Sequence, residues 1–131
     1  NVRRVTQGRV ICIADACAGA SREERALIGR VLEKSRSLGI VSTLDHTDPH
    51  RLDLVHDVLD GYDRPARAHV IPDRWQAIEW ALRQARPGDA VLIAGSCDAS
   101  ATLAAAHDLP CESDLIRQLL RHTAPHSQQA A

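Results

Sequence analysis

The sequence predicts an α/β fold: an open, mostly parallel sheet with helices on both faces, Rossmann-like in the broad sense. Two observations carry that prediction. Short, β-rich apolar runs alternate with segments patterned as amphipathic helices. The runs are also nearly continuous in their apolar character, as strands buried on both faces require.

Residues 9–14 read as a first strand, with Val10, Ile11 and Ile13 in one apolar run. Ser21, with Glu24 three positions later, is a capping box that opens a first helix. Leu27, Ile28, Val31, Leu32 and Leu38 supply its expected buried stripe, and Gly39 its expected stop. Residues 40–44 form a second strand. Asp48 as N-cap and Pro49 at the first helical position start a second helix. Its expected core face is Leu52, Val55, Val58 and Leu59, and Gly61 ends it.

A polar turn at 62–67 leads to a short third strand at 68–71. Pro72 and Asp73 cap a third helix, with Trp75, Ile78, Leu82 and Ala85 expected inward. Glu79 and Arg83 make an exposed i,i+4 pair on it. Arg86-Pro87-Gly88-Asp89 breaks that helix before a fourth strand at 90–94, the clearest of the set. Residues 99–109 are Ala-rich and weakly patterned, and read as a loop with room for helical turns. A last helix at 113–122 is expected to bury Leu115, Ile116, Leu119 and Leu120.

A chain of 131 residues fits one domain with one core. With a net charge of −1, nothing in the composition points to the basic surface that nucleic-acid or membrane binding needs. Tyr62, Trp75 and Trp80 are the whole aromatic complement, too few for a base-stacking platform. No run approaches the roughly 20 apolar residues of a spanning helix. The basic start at residues 1–9 lacks the apolar segment and cleavage site of a signal peptide. Cys12, Cys17, Cys97 and Cys111 form no paired motif and read as free thiols of a cytoplasmic protein. The start at Asn1, without an initiator Met, reads as a piece of something longer or a processed product.

In wound sheets, ligands bind outside the carboxyl ends of the strands near the switch in strand order. That rule selects residues 15–20, 44–48 and 95–100. These present Asp15, Cys17, Asp45, His46, Ser96, Cys97 and Asp98 to one edge. A phosphate cradle in residues 14–21 would use Gly19 and a helix N-terminus, but no glycine fingerprint is present. The bland reading is a small-residue turn that admits close packing. Cys17, His46 and Cys97 are the candidate metal ligands, without the paired spacing of a zinc site. Cys97 with His46 and Asp45 is the candidate nucleophile constellation, and no spacing fixes its geometry. For both sets the bland reading is incidental side chains, with Cys12 in the core. His107, His122 and His126 read as solvated.

One block carries a family resemblance. Asp73-Arg74-Trp75-Gln76-Ala77-Ile78, followed by the run from Ala85-Arg86-Pro87-Gly88-Asp89 to Gly95, resembles the last domain of the Mur ligases. Gly8-Arg9-Val10-Ile11-Cys12, Arg25-Ala26-Leu27-Ile28-Gly29 and Pro110-Cys111-Glu112-Ser113 extend it over residues 8–122. The branch most similar is the UDP-N-acetylmuramoyl-tripeptide synthetases, which add the third peptide residue in peptidoglycan synthesis.

The resemblance implies part of an ATP-dependent acid–amino-acid ligase, inactive as an isolated chain. In that family a carboxylate is phosphorylated and an amino acid's amine attacks the acyl phosphate. ATP and magnesium are held mainly by a central domain that this chain lacks. The last domain closes over the nucleotide and positions the incoming amino acid. The implied partners are therefore that central domain, an amino acid and a UDP-N-acetylmuramoyl-peptide, with no nucleic acid and no membrane. The implied substrate contacts are Asp45, His46, Gly95, Ser96 and Asp98; the implied nucleotide contacts are Asp15, Arg22 and Arg25. No metal ligand and no catalytic residue is implied.

Three segments depart from the family pattern. Asp-Asn-Pro-Arg after the second strand is here Leu44-Asp45-His46-Thr47, without the Arg. Gly-Lys-Gly-His-Glu after the fourth is Gly95-Ser96-Cys97-Asp98-Ala99, without the Lys or the Glu. The Gly- and Asp-rich turn after the first is Asp15-Ala16-Cys17-Ala18-Gly19-Ala20. An Arg–carboxylate fork is not replaced by Thr or His at equal grip. The chain thus reads either as a divergent ligase domain with a different amino acid or as a degenerate binding or interaction domain without ligase activity. The expected organisation is one Mur ligase C-terminal-like domain over 1–122, without the family's opening strand and helix, and a flexible tail at 123–131.

Overall fold

The computed structural model describes residues 6–44, 47–94 and 112–123. Its strands are β1 (Val10–Asp15), β2 (Leu38–Thr43), β3 (His69–Asp73) and β4 (Ala90–Ala94). Its α-helices are α1 (Arg22–Lys34), α2 (Arg51–Leu59), α3 (Arg74–Gln84) and α4 (Glu112–Thr123), with a 3-10 turn at Pro65–Arg67. All pairings are parallel, and the order is β3-β2-β1-β4. The open parallel sheet expected from the sequence is the fold observed.

The chain steps from β1 through β2 to β3, then crosses back to place β4 on the far side of β1. Right-handed crossovers put the helices of the two directions on opposite faces. The two cores follow from this. Ala14, Val41, Leu32, Val55, Val58 and Tyr62 bury one face under α1 and α2. Ile11, Ile13, Ile40, Ala77, Ile78, Ala81 and Leu119 bury the other under α3 and α4. Strand period 2 splits Ile13 from Ala14 and Ile40 from Val41. Each fully buried Ile stabilises the fold by about 1.5–3 kcal/mol.

Several local expectations are corrected. The helix α1 ends at Lys34, where Arg36 takes a left-handed φ of 57°, so Gly39 is not its stop. Leu38 and Gly39 instead open β2. The buried face of α1 is Arg25, Gly29 and Leu32, while Leu27 and Val31 are exposed. Gly29 and Gly61 explain the rotation: a Cβ on Gly29 would lie 1.9 Å from the Val58 carbonyl oxygen, and one on Gly61 1.7 Å from that of Ala26. Backbone meets backbone there, so α1 and α2 pack closer than side chains allow.

The expected cap at Asp48 also shifts. Asp48 Oδ1 accepts the His50 N–H at 2.8 Å, an Asx turn that delays the helix until Arg51. On α2, Val55 and Val58 are buried but Leu52 is exposed. The third strand runs on through Pro72 to Asp73, which edge position permits. Asp73 then caps α3 by accepting the Gln76 N–H at 2.9 Å. Inward on α3 are Arg74, Ala77, Ile78 and Ala81, with Trp75, Leu82 and Ala85 partly buried beside them. On α4, Leu119 is buried, Ile116 packs against the same core, and Leu120 is exposed. No helix among the described residues is long and apolar enough to cross a membrane.

Candidate functional site

Strand order reverses between β1 and β4, and this switch point is where the fold opens a crevice. Asp15 pairs in register with Ser42, and Ala14 with Ala94. The exits of β1, β2 and β4 therefore share one edge. The flanks of all three sequence-selected turns sit there together.

At the β1 exit, the Ala16 N–H donates to the Ser42 carbonyl at 2.8 Å, continuing the ladder one residue past the strand. Cys17, at a φ of 52°, then turns the chain, and Ala20 N–H closes the turn on the Cys17 carbonyl at 3.0 Å. The predicted capping box is present: Glu24 N–H donates to Ser21 Oγ at 3.1 Å, and Ser21 N–H to Glu24 Oε2 at 2.7 Å.

Arg25, in the first turns of α1, is buried. Its guanidinium donates to Asp57 Oδ2 and to the carbonyls of Cys17 and Ala20. Arg22 lies one turn earlier and stays largely in solvent, 3.0 Å from Asp60 Oδ2 and 3.5 Å from Asp57 Oδ1. Of the three residues implied as nucleotide contacts, Arg22 is the most exposed. Arg25 holds the turn, and Asp15 is half-buried.

Asp15 Oδ1 accepts the Leu44 N–H at 3.1 Å, tying the β1 exit to the β2 exit. Burial pushes its carboxyl pKa up; the N–H groups of Cys17 and Leu44, the Arg74 charge and the Ala16 N–H pull the other way. Burial wins, since half-buried carboxylates lose hydration that few N–H groups restore.

Arg74 also reaches this edge, a placement not expected from the sequence. It opens α3, is only 3% exposed, and donates Nη1 to the Ala94 carbonyl at 3.2 Å. One signal was available. A cation at the first position of a helix faces the positive end of the macrodipole and needs an acceptor to sit there. Thr43 Oγ1 adds a last link, donating to the Pro72 carbonyl at 2.9 Å. Asp45, His46, Gly95, Ser96, Cys97 and Asp98 lie outside the described residues, between or beyond Leu44, Thr47 and Ala94. Of the metal and nucleophile candidates, only Cys17 is described, as a half-buried free thiol.

The model of the family described as "Mur ligase, glutamate ligase domain" matches residues 1–97. The chain belongs to the Mur ligase family. Its similar relatives include UDP-N-acetylmuramoyl-L-alanyl-D-glutamate–2,6-diaminopimelate ligases. That of Chromobacterium violaceum is 36% identical over 92 residues, 70% of this chain and 18% of the relative. That of Aquifex aeolicus is 31% identical over 93 residues, 71% of this chain and 19% of the relative. A solved structure of such a ligase superposes with a TM-score of 0.64 at 24% identity, over 72% of this chain and 20% of that one. This Mur ligase domain thus spans about a fifth of the length of the relatives it matches, and the structural likeness concerns the fold.

Proposed function

We propose that this chain is the C-terminal domain of a cytoplasmic, ATP-dependent Mur-type amide ligase. The ligase adds an amino acid to a UDP-N-acetylmuramoyl-peptide in peptidoglycan synthesis, in the manner of the tripeptide synthetases. The observation that carries this reading is the gathering of the β1, β2 and β4 exits on one edge of a family-matched sheet. The amino acid is held between the β2 and β4 exits, by Asp45, His46, Gly95, Ser96 and Asp98. Orientation of an amine against an activated carboxyl supplies much of such a rate, and closure of the domain excludes water.

The described residues do not build a nucleotide site of their own. Arg25 is consumed by Asp57 and the turn carbonyls, and Asp15 by Leu44. ATP and magnesium belong to the central domain, and this chain offers the exposed Arg22 at the boundary. ATP supplies the activating phosphoryl group when bound.

The test is direct. The gene product at its natural length is incubated with ATP, magnesium, UDP-N-acetylmuramoyl-L-alanyl-D-glutamate and one amino acid at a time. Phosphate release together with a UDP-linked product heavier by one amino-acid residue is expected for at least one amino acid. If none supports either signal, the ligase reading fails. The departures at Leu44-Asp45-His46-Thr47 and Gly95-Ser96-Cys97-Asp98-Ala99 then mark a non-catalytic binding domain.

A further inference from the structure

Single apolar side chains on a protein surface are ordinary, but a contiguous group of them marks a contact. One such group lies where α1 borders the β4 side of the sheet. Leu92 is the register partner of Cys12, so its side chain stands on the face that α1 and α2 cover. Those two helices lie over β2 and β3, while α3 and α4 pack on the opposite face. Leu92 is left 41% exposed. On α1, Ala26 and Gly29 meet α2. The helix period then puts Leu27 and Val31 on the flank turned away from α2, toward β4. These two are 57% and 59% exposed.

We propose that this patch is an isologous contact with a second copy of the chain, α1 pairing antiparallel with α1 about a two-fold axis. Charge decides the occupant. Glu23, Leu27, Val31 and Lys34 follow one another at steps of four, four and three, which aligns them in one exposed stripe. The stripe is acidic at the helix start, apolar in its middle and basic at its end. Reversed on a second copy, it matches itself: Leu27 meets Val31, and Glu23 meets Lys34. Among the described residues, the ion pairs of α1 use Arg22 and Arg25 and leave Glu23 and Lys34 out. The same two-fold axis lays the second α1 beside the first on the β4 side, over Leu92. Each copy thereby supplies the helix that β4 of the other lacks on this face. The contact needs no ligase activity.

Sedimentation velocity of the 131-residue chain over a concentration series tests this. A monomer–dimer equilibrium is expected, with a Kd on the order of 10–100 μM, as for a contact at the small end of specific interfaces. Leu27→Ser combined with Val31→Ser is expected to weaken association about tenfold or more, with circular dichroism unchanged because both positions are exposed. Glu23→Lys alone and Lys34→Glu alone each set like charges against one another across the axis. Each is expected to weaken association about threefold or more. An equimolar mixture of these two variants restores opposite charges at both ends, and is expected to associate within about twofold of wild type. A chain monomeric at the highest concentration overturns the proposal. So does a dimer indifferent to the serine substitutions, or a mixture no tighter than either variant alone. Should the serine variant not fold, the charge mixture still decides. The last arm is the natural-length protein: a monomer there, beside a dimer of the 131-residue chain, gives the seat to another part of the same polypeptide and equally overturns it.

Discussion

Arg25 and Asp57 meet across the contact between α1 and α2, with both Nη2 and Nε of the arginine within 3.0 Å of Asp57 Oδ2. The same guanidinium donates to the Cys17 and Ala20 carbonyls. One side chain therefore joins two helices to the turn after β1. Arg25→Ala leaves a partly buried carboxylate with only the exposed Arg22 nearby. A loss of about 2–4 kcal/mol is expected in urea denaturation, below the cost of breaking a fully buried pair because Asp57 keeps some solvent. Arg25→Lys keeps the charge but not the fork, and is expected to recover less than half.

Asp89 predicts an acid-sensitive turn. The Arg86 N–H, the Arg9 side chain and the Arg9 N–H hold its carboxyl down at about 2. A depressed folded pKa contributes stability that is complete above the unfolded value of about 3.9. That contribution drains away as pH falls through about 2. Denaturation midpoints of wild type and Asp89→Asn are thus expected to differ at pH 5 and to converge as pH approaches 2. A constant difference across that range contradicts the linkage.

Gly61 carries a steric prediction. Its missing Cβ would sit 1.7 Å from the Ala26 carbonyl oxygen, which belongs to helix backbone and cannot swing aside. Gly61→Ala must pry α2 from α1, at a cost of roughly 3 kcal/mol or more. Differential scanning calorimetry checks it; a Tm within a degree of wild type contradicts the packing described.

Ser21 gives the mildest effect. Ser21→Ala removes one arm of the capping box and is expected to destabilise by about 1 kcal/mol. Ser21→Asp, which keeps an acceptor, is expected to stay within a few tenths of wild type by the same denaturation measurement.

The sheet was legible because strands buried on both faces leave long apolar runs, and Ile11, Ile13, Ile40 and Val41 read that way unaided. Caps at Ser21 and Asp73 were legible because the bonding residues lie within one turn. Helix faces were less so. Hydrophobicity assigned Leu27 and Val31 inward, whereas Arg25 and Gly29 occupy that side, one paired and one absent as a side chain. Neither a paired charge nor a missing Cβ registers in an apolar stripe. The same blindness hid the burial of Arg74, whose guanidinium donates to the Ala94 carbonyl 20 residues away. The edge that gathers the turns followed from the wound topology alone.

That edge has a consequence for how such a molecule changes. The isoleucines of β1 and β2 lie beneath it, in a layer that includes none of the described exit-turn residues. Substitution in the turns leaves the folding free energy of the layer nearly untouched, while every substitution alters what the crevice meets. Recognition and architecture thus drift on separate clocks, and a lineage can rewrite the first without endangering the second.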